Sequence, residues 1–525
     1  MINKAKKTTK GRQKSDRPTV PMKGSNAPGG IGATVSQTMR QLELFRETAD
    51  SPQGDAVEVD VGQPTPARRA VPKSRTEKRT SASASMTIEA VAEQINLLHA
   101  FEKVASNQGA PGVDQQSIEH VREHLPRLLP KLHNELVAGT YRPGMIRRVW
   151  IPKPGGGQRG LGIPTVVDRM VQQAVLQVMS PHYEPIFHDS SHGFRPGRSC
   201  HTAIAEARSY VEEGYEWVVD IDLEKFFDRV NHERLLARLE QQIEDRRLIT
   251  LIRHMLKAKV VLPEGVIVST EEGTPQGGPL SPLLSNIVLD ELDRELAQRG
   301  HRFVRYADDA KIYVRSERAG KRVMASVSRF IEKRLRLSIN RQKSAVARSE
   351  VRHFVGFCLR REPVDGTVHV LLSERSKKRL AKRICELTPR KWGQSLARCI
   401  EEINIYLKGW IGFFKICTDG EERTLHAADA HIRRRLRVIV LKHWKSKRTM
   451  AMRLIKLGVK PMTAWRGIYK PRRSWWALSH CAPVDRGLRN AYFAERGLRS
   501  LKELWREKHC EAVIDARRQL KLALG

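Results

Sequence analysis

Two apolar segments of this chain end in pairs of aspartates, and such a chain must build a sheet around a charged edge. "EWVVDIDLEKFFDRVNH" (residues 216–232) carries Asp220 and Asp222, two apart behind the apolar run Trp217, Val218 and Val219. A strand alternates its faces with period two, so both carboxylates point to one side. A helix is expected to follow from about Asp228. "HRFVRYADDAKIYVRS" (301–316) sets Asp308 and Asp309 between two short strand-like runs, at the tip of a tight hairpin. Carboxylates at a strand end and a neighbouring hairpin tip repel unless a dication sits between them. Magnesium suits the donors, because it prefers oxygen and uses only one or two protein carboxylates. Two such ions can clamp the attacking and leaving oxygens of a phosphoryl displacement.

The rest of the chain points to a polyanion. It carries 94 Lys and Arg against 58 Asp and Glu, a formal net charge of +36. Nucleic acid is the expected partner and anionic membrane the competitor. No apolar run is long enough to span a bilayer, and "MINKAKKTTKGRQKSDR" lacks an apolar signal core, so a cytoplasmic protein is expected. The cysteines (200, 358, 385, 399, 417, 481 and 510) form no CxxC pair, which argues against a zinc finger and for reduced thiols.

Residues 1–85 are rich in Lys, Arg, Ser, Thr, Pro and Gly and read as a flexible basic leader, with at most a short helix near "SQTMRQLELFRETA". Helical spacing begins near Met86. Helices and strands then alternate irregularly to about residue 362, an α+β layout. After Ser373 the sequence reads as almost entirely helical and basic.

Five ordered segments carry a family resemblance. Tyr306-Ala307-Asp308-Asp309 matches the Y-A-D-D form of the reverse transcriptase palm motif. "IPKPGGGQRGLGIPTVVDRMVQQAV", "HGFRPGRSC", "VVDIDLEKFFDRVNH", "GTPQGGPLSPLLSNIVL" and "LRLSINRQKS" stand in the order found in bacterial group II intron reverse transcriptases, also called maturases. The resemblance runs from about residue 90 to the end. It implies a right-hand polymerase: fingers and palm with an antiparallel palm sheet over 86–362, an α-helical thumb or maturase domain over 363–450, and a basic C-terminal region over 451–525. It also implies RNA-directed DNA synthesis and binding of the parent intron RNA.

The resemblance assigns roles. Asp222 and Asp308 would hold metal (two Mg²⁺ ions), with Asp309 a weaker or outer ligand and Asp220 a neighbour only. Phe227 would pack under the incoming sugar and exclude a 2′-hydroxyl. Lys153 and Arg159 of the Gly-rich hairpin, Gln276 and Lys343 would bind the deoxynucleoside triphosphate, and "RHFVGFCL" (352–359) would hold the primer end. Expected partners are group II intron RNA, primer–template and target DNA, and deoxynucleoside triphosphates, in a bacterial cytoplasm. No Cys-paired endonuclease segment follows, so the resemblance is to the endonuclease-lacking class.

Between Ala430 and Val484 there are fifteen Lys and Arg and no Asp or Glu, with Trp444, Trp465, Tyr469, Trp475 and Trp476 interleaved. A solvated helix face mixes both signs, so this bias points to phosphate contact with stacking. Arg433, Arg434, Arg437, Lys442 and Lys445 are the candidate contacts, and about half of the aromatics are expected in the core. Two rival readings are a splicing-only maturase and a related reverse transcriptase recruited to phage defence or CRISPR adaptation. Intact Asp222 and Asp308 count against the first, and the maturase-like segment after residue 400 counts partly against the second.

Overall fold

The computed structural model describes residues 86–153, 156–389, 393–469 and 474–509. The expected leader and its short helix lie outside them, as does Cys510. The ten strands of the described residues form three sheets. β1 (Ile146–Pro152) and β2 (Gln158–Ile163) are the arms of the Gly-rich hairpin. The palm contributes β3 (Trp217–Asp222). The short strands β4 (Val260–Val261) and β5 (Ile267–Val268) extend the hairpin sheet, β4 running parallel to β1.

β6 (Arg302–Tyr306), β7 (Asp309–Val314) and β8 (Ala345–Arg348) complete the palm sheet in the order β6-β7-β3-β8, antiparallel throughout. β9 (Phe357–Arg361) and β10 (Val368–Leu372) pair as a separate ribbon. From Glu374 onward every element among the described residues is helical, in agreement with the sequence pattern. The helices Glu374–Leu387 and Leu396–Phe414 are each capped by a serine, Ser373 and Ser395.

Period-two alternation gives the palm sheet two apolar faces. Val219, Ile221, Phe303 and Ile312 join one core, with the helices Val166–Tyr183 and Ser281–Gln298. Val218, Val304 and Tyr313 point the other way. They belong to a second core that takes in Ala203, Ile204, Phe354 and Phe357 and continues through Leu380, Leu407 and Leu436 to Trp505.

The segment after β3 differs from expectation. Phe226–Asp228 is a single 3₁₀ turn entered through Lys225 at φ 47°, and the helix starts only at His232, capped by Asn231. The neighbouring loop takes the carbonyls that an earlier helix would use internally. Thr274 N–H donates to Phe227 O at 2.6 Å and Gly273 N–H to Val230 O at 2.8 Å. None of the six described cysteines forms a disulfide.

Candidate active site

The β6–β7 hairpin turns through Ala307 and Asp308, with Tyr306 paired to Asp309. Ala307 adopts φ 57°, a left-handed conformation that favours glycine and costs an alanine about 1 kcal/mol. Arg305 holds the turn in place. It is fully buried, donates from Nε to Asp293 Oδ1 at 2.8 Å, and from Nη1 to Asn286 Oδ1 and to the Ala307 carbonyl, both at 2.9 Å. Its Nη2 reaches Ser191 Oγ at 2.7 Å. Asn286 in turn donates to Gly193 O at 2.9 Å. A Cβ on Gly193 would lie 2.2 Å from Ala307 N, so the "HGFRPGRSC" segment lies directly against the turn.

Sequence reasoning passed over Arg305, Asn286 and Asp293. Their signal was polar side chains where apolar ones are expected. Arg305 shares its strand face with Phe303, and Asn286 and Asp293 stand seven apart on a buried helix face that also carries Asp290. Such buried groups persist when they satisfy one another.

Asp222 ends β3 opposite Asp309. The 340–344 loop grips its main chain: its N–H donates to Ser344 Oγ at 3.0 Å, and its carbonyl accepts from Asn340 N–H at 2.8 Å. The Lys343 ammonium from the same loop stands 3.6 Å from Asp222 Oδ2. Burial, and then the Asp222 charge, push the Asp308 carboxyl above its usual range, while Arg159 and Arg305 pull it down. Asp222, Asp308, Arg159 and Lys343 therefore share one electrostatic neighbourhood.

Asp309 is occupied differently. Its Oδ1 accepts from Lys311 Nζ at 2.6 Å. Asp220 is likewise engaged by Lys311 and Arg352. The remaining carboxylates, Asp222 and Asp308, are an all-oxygen pair whose mutual repulsion a hard dication relieves, so the residues present fit such an ion. Among the described residues, the one cluster of three close His, Cys, Asp or Glu ligands is His120, Glu123 and His124, on an exposed helix face outside the palm.

Lys153 and Arg159 are exposed at the mouth of the β1–β2 hairpin, where Lys153 N–H donates to Gly157 O at 2.9 Å. The loop holding Gln276 docks on β2: Gly162 N–H donates to Gln276 O at 2.8 Å, and a Cβ on Gly277 would meet Gly162 O at 2.4 Å. Only glycine allows this close approach of the loop backbone to β2. Phe227 is half-buried, edge-on to Phe226 at 5.3 Å, and its carbonyl is tied to Thr274 in the Gln276 loop.

The basic helix Glu422–His443 turns several of its arginines inward. Arg434 lies over the Trp476 ring at 4.0 Å. Arg435 donates to Thr388 and to the Cys385 carbonyl. Arg437 pairs with Asp485 and donates to Leu488 O at 3.0 Å, with 11% of its side chain exposed. Helical spacing alone could not separate an arginine facing phosphate from one facing a carbonyl. Arg433 and Lys442 are half-exposed and Lys445 is exposed. Trp444 is core, whereas Tyr469 and Trp475 are 49% and 39% exposed. Arg437→Ala is therefore expected to cost about 2–3 kcal/mol of unfolding free energy. It should leave the salt dependence of RNA binding unchanged. Thermal unfolding and binding titrations at several salt concentrations check both, and a shallower salt slope at unchanged stability would reassign Arg437 to phosphate.

No helix among the described residues is long and apolar enough to cross a membrane. Residues 151–359 match the reverse transcriptase (RNA-dependent DNA polymerase) family, and residues 377–457 match the group II intron, maturase-specific domain. Protein YkfC of Escherichia coli K12 is 41% identical over 209 residues, which are 39% of this chain and 55% of that protein. Group II intron-encoded protein LtrA of Lactococcus lactis subsp. cremoris is 39% identical over 209 residues, 39% of this chain and 34% of its own length. The chain thus spans about half or a third of the curated relatives it matches. Among solved structures, a chain of a partial Cas6-RT-Cas1–Cas2 complex is similar at 24% identity and TM-score 0.31, covering 47% of this chain and 42% of that one.

Proposed function

We propose that this chain, whose residues 151–359 match the reverse transcriptase family and whose residues 377–457 match the group II intron, maturase-specific domain, is an RNA-directed DNA polymerase that also binds its intron RNA to assist splicing and mobility. The observation that carries the proposal is the convergence of Asp222 and Asp308 at the palm sheet edge, with Arg159 and Lys343 beside them. The reading divides the chain into a leader (1–85), fingers and palm (86–362), a thumb or maturase domain (363–450) and a basic C-terminal region (451–525).

Magnesium, two ions in this reading, would be held by Asp222 and Asp308 and would supply charge neutralisation on the phosphates and a more acidic primer hydroxyl. The side chains do the rest. Arg159 offers a bidentate fork, and Lys153 and Lys343 point charges, to the triphosphate. Gln276 flanks the nucleotide from a loop anchored on β2. The segment 352–359, whose turn is closed by paired backbone hydrogen bonds between Phe354 and Phe357, is the proposed seat of the primer end. Arg433, Lys442 and Lys445 are proposed phosphate contacts, with Tyr469 and Trp475 as stacking surfaces for structured RNA.

The test is extension of a DNA primer on an RNA template by the purified protein, alongside Phe227→Ala. The parent should incorporate deoxynucleotides and reject ribonucleotides. The variant should accept ribonucleotides at least about tenfold more readily, because steric exclusion is the larger part of such selectivity. Equal discrimination would make Phe227 a core residue only. No incorporation by the parent with Mg²⁺ or Mn²⁺ would overturn the polymerase assignment and leave the splicing-only reading.

A further inference from the structure

A buried lysine stands beside the candidate aspartates. Lys311, in the middle of β7, is 2% exposed. The β3–β7 register sets Asp220 against Lys311 and Asp222 against Asp309. These four side chains therefore stand on one face of the sheet, in two adjacent rows. Lys311 Nζ donates to Asp309 Oδ1 at 2.6 Å and also to Asp220 Oδ1. Asp220 Oδ2 is taken by Arg352, from Nε at 2.8 Å, and Arg352 Nη2 reaches on to the Lys343 carbonyl at 3.0 Å. The Lys343 ammonium returns to Asp222. Asp309, Lys311, Asp220, Arg352 and Lys343 thus form an arc from one side of the site to the other. Phe354 of the proposed primer-holding turn lies under the Lys311 ammonium, at 5.8 Å.

Two features set this arc apart from an ordinary ion pair. Its charges balance within themselves: Asp309 and Asp220 against Lys311 and Arg352. The Asp309 charge is therefore compensated by the buried Lys311, although its own side chain is 37% exposed, and Asp308 and Asp222, the latter with only the Lys343 ammonium at 3.6 Å, are the carboxylates left for a metal ion. A buried ion pair is also a costly way to fill a core, since an apolar residue of like volume is often as stable or more so. Its presence is better explained by geometry than by stability.

We propose that Lys311 is a positioning residue of the polymerase site. It holds Asp309 turned along the sheet toward Asp220, so that only one carboxylate of the adjacent aspartate pair meets the cation. Through Arg352 it links that arrangement to the 352–359 turn. The proposal rests on the polymerase reading, and its test separates the two.

Mn²⁺ affinity, measured from free-ion EPR without substrate, is compared with primer extension for the parent, Lys311→Met, Asp309→Asn, the double variant and Asp222→Asn. In Lys311→Met the uncompensated Asp309 charge should tighten Mn²⁺ binding by roughly fivefold. The same displaced carboxylate should slow extension at saturating Mg²⁺ by about a hundredfold. Adding Asp309→Asn should return Mn²⁺ affinity to the parent value and recover at least about tenfold of the rate, because removing both partners of a buried pair costs less than removing one. Asp222→Asn should lose the Mn²⁺ site.

Unchanged Mn²⁺ affinity in folded Lys311→Met, or a double variant no faster than Lys311→Met, overturns the proposal. Should Lys311→Met show no cooperative unfolding, Asp309→Asn decides alone: extension within about tenfold of the parent supports the proposal, and a loss as complete as that of Asp222→Asn overturns it. A parent that binds Mn²⁺ through Asp222 but extends no primer would sink the polymerase reading, while the Mn²⁺ series still judges Lys311.

Discussion

Asp308→Asn should reduce RNA-templated primer extension by roughly a thousandfold or more while leaving RNA affinity within about twofold of the parent. The change removes a charged oxygen ligand at nearly constant shape. It leaves the basic helices beyond residue 374 untouched. The same substitution should raise the thermal midpoint of the metal-free protein. The sign follows from the site: burial and the Asp222 charge both disfavour the ionised Asp308 carboxyl, so a neutral amide relieves a strain that the folded protein otherwise carries. Extension, RNA affinity and thermal unfolding on one preparation check all three. Undiminished extension would remove Asp308 from the chemistry. A lowered midpoint would mean that the carboxylate serves as a structural acceptor.

Arg305→Met should cost about 3–5 kcal/mol of stability. The arginine and its partner Asp293 have side chains 1% and 0% exposed, so the substitution strands a buried carboxylate and frees Asn286 and Ser191. It also releases the Ala307 carbonyl that fixes the aspartate turn. Denaturant unfolding should show the loss, and pairing the change with Asp293→Leu should restore part of it. Extension should stay low in the double variant, because stability returns but the anchor of the turn does not. An unfolding midpoint equal to the parent's would refute this account of the hairpin's support.

The parts of the molecule legible in the sequence were those fixed by local periodicity. Apolar pairs and alternation marked β3, β6 and β7, and the serine-capped basic segments after Ser373 became helices where expected. The candidate aspartates were visible because charge at the end of an apolar strand breaks the pattern. What stayed hidden depends on contacts far apart in the chain. The delayed helix at His232 is set by Gly273 and Thr274, some forty residues downstream. The inward turn of Arg437 is set by Asp485 and Leu488, and the support of Ala307 by Gly193 and Asn286. An arginine destined for a carbonyl and one destined for a phosphate have the same spacing and the same composition around them. Only the partner across the fold distinguishes them.

The second core has a consequence for how such chains can be recombined. Its apolar side chains run from Ala203 and Ile204, through the sheet face at Val218, Val304 and Tyr313, into helices reaching Trp505. The interval between the two family matches, residues 360–376, interrupts the sequence but not this packing. A maturase segment grafted from a relative at that junction would meet a foreign palm surface along the whole sheet face. To fold, the chimera would have to carry matched residues on both sides. The reverse transcriptase and maturase-specific segments of this chain should therefore diverge together, as one inherited unit, and not as interchangeable cassettes.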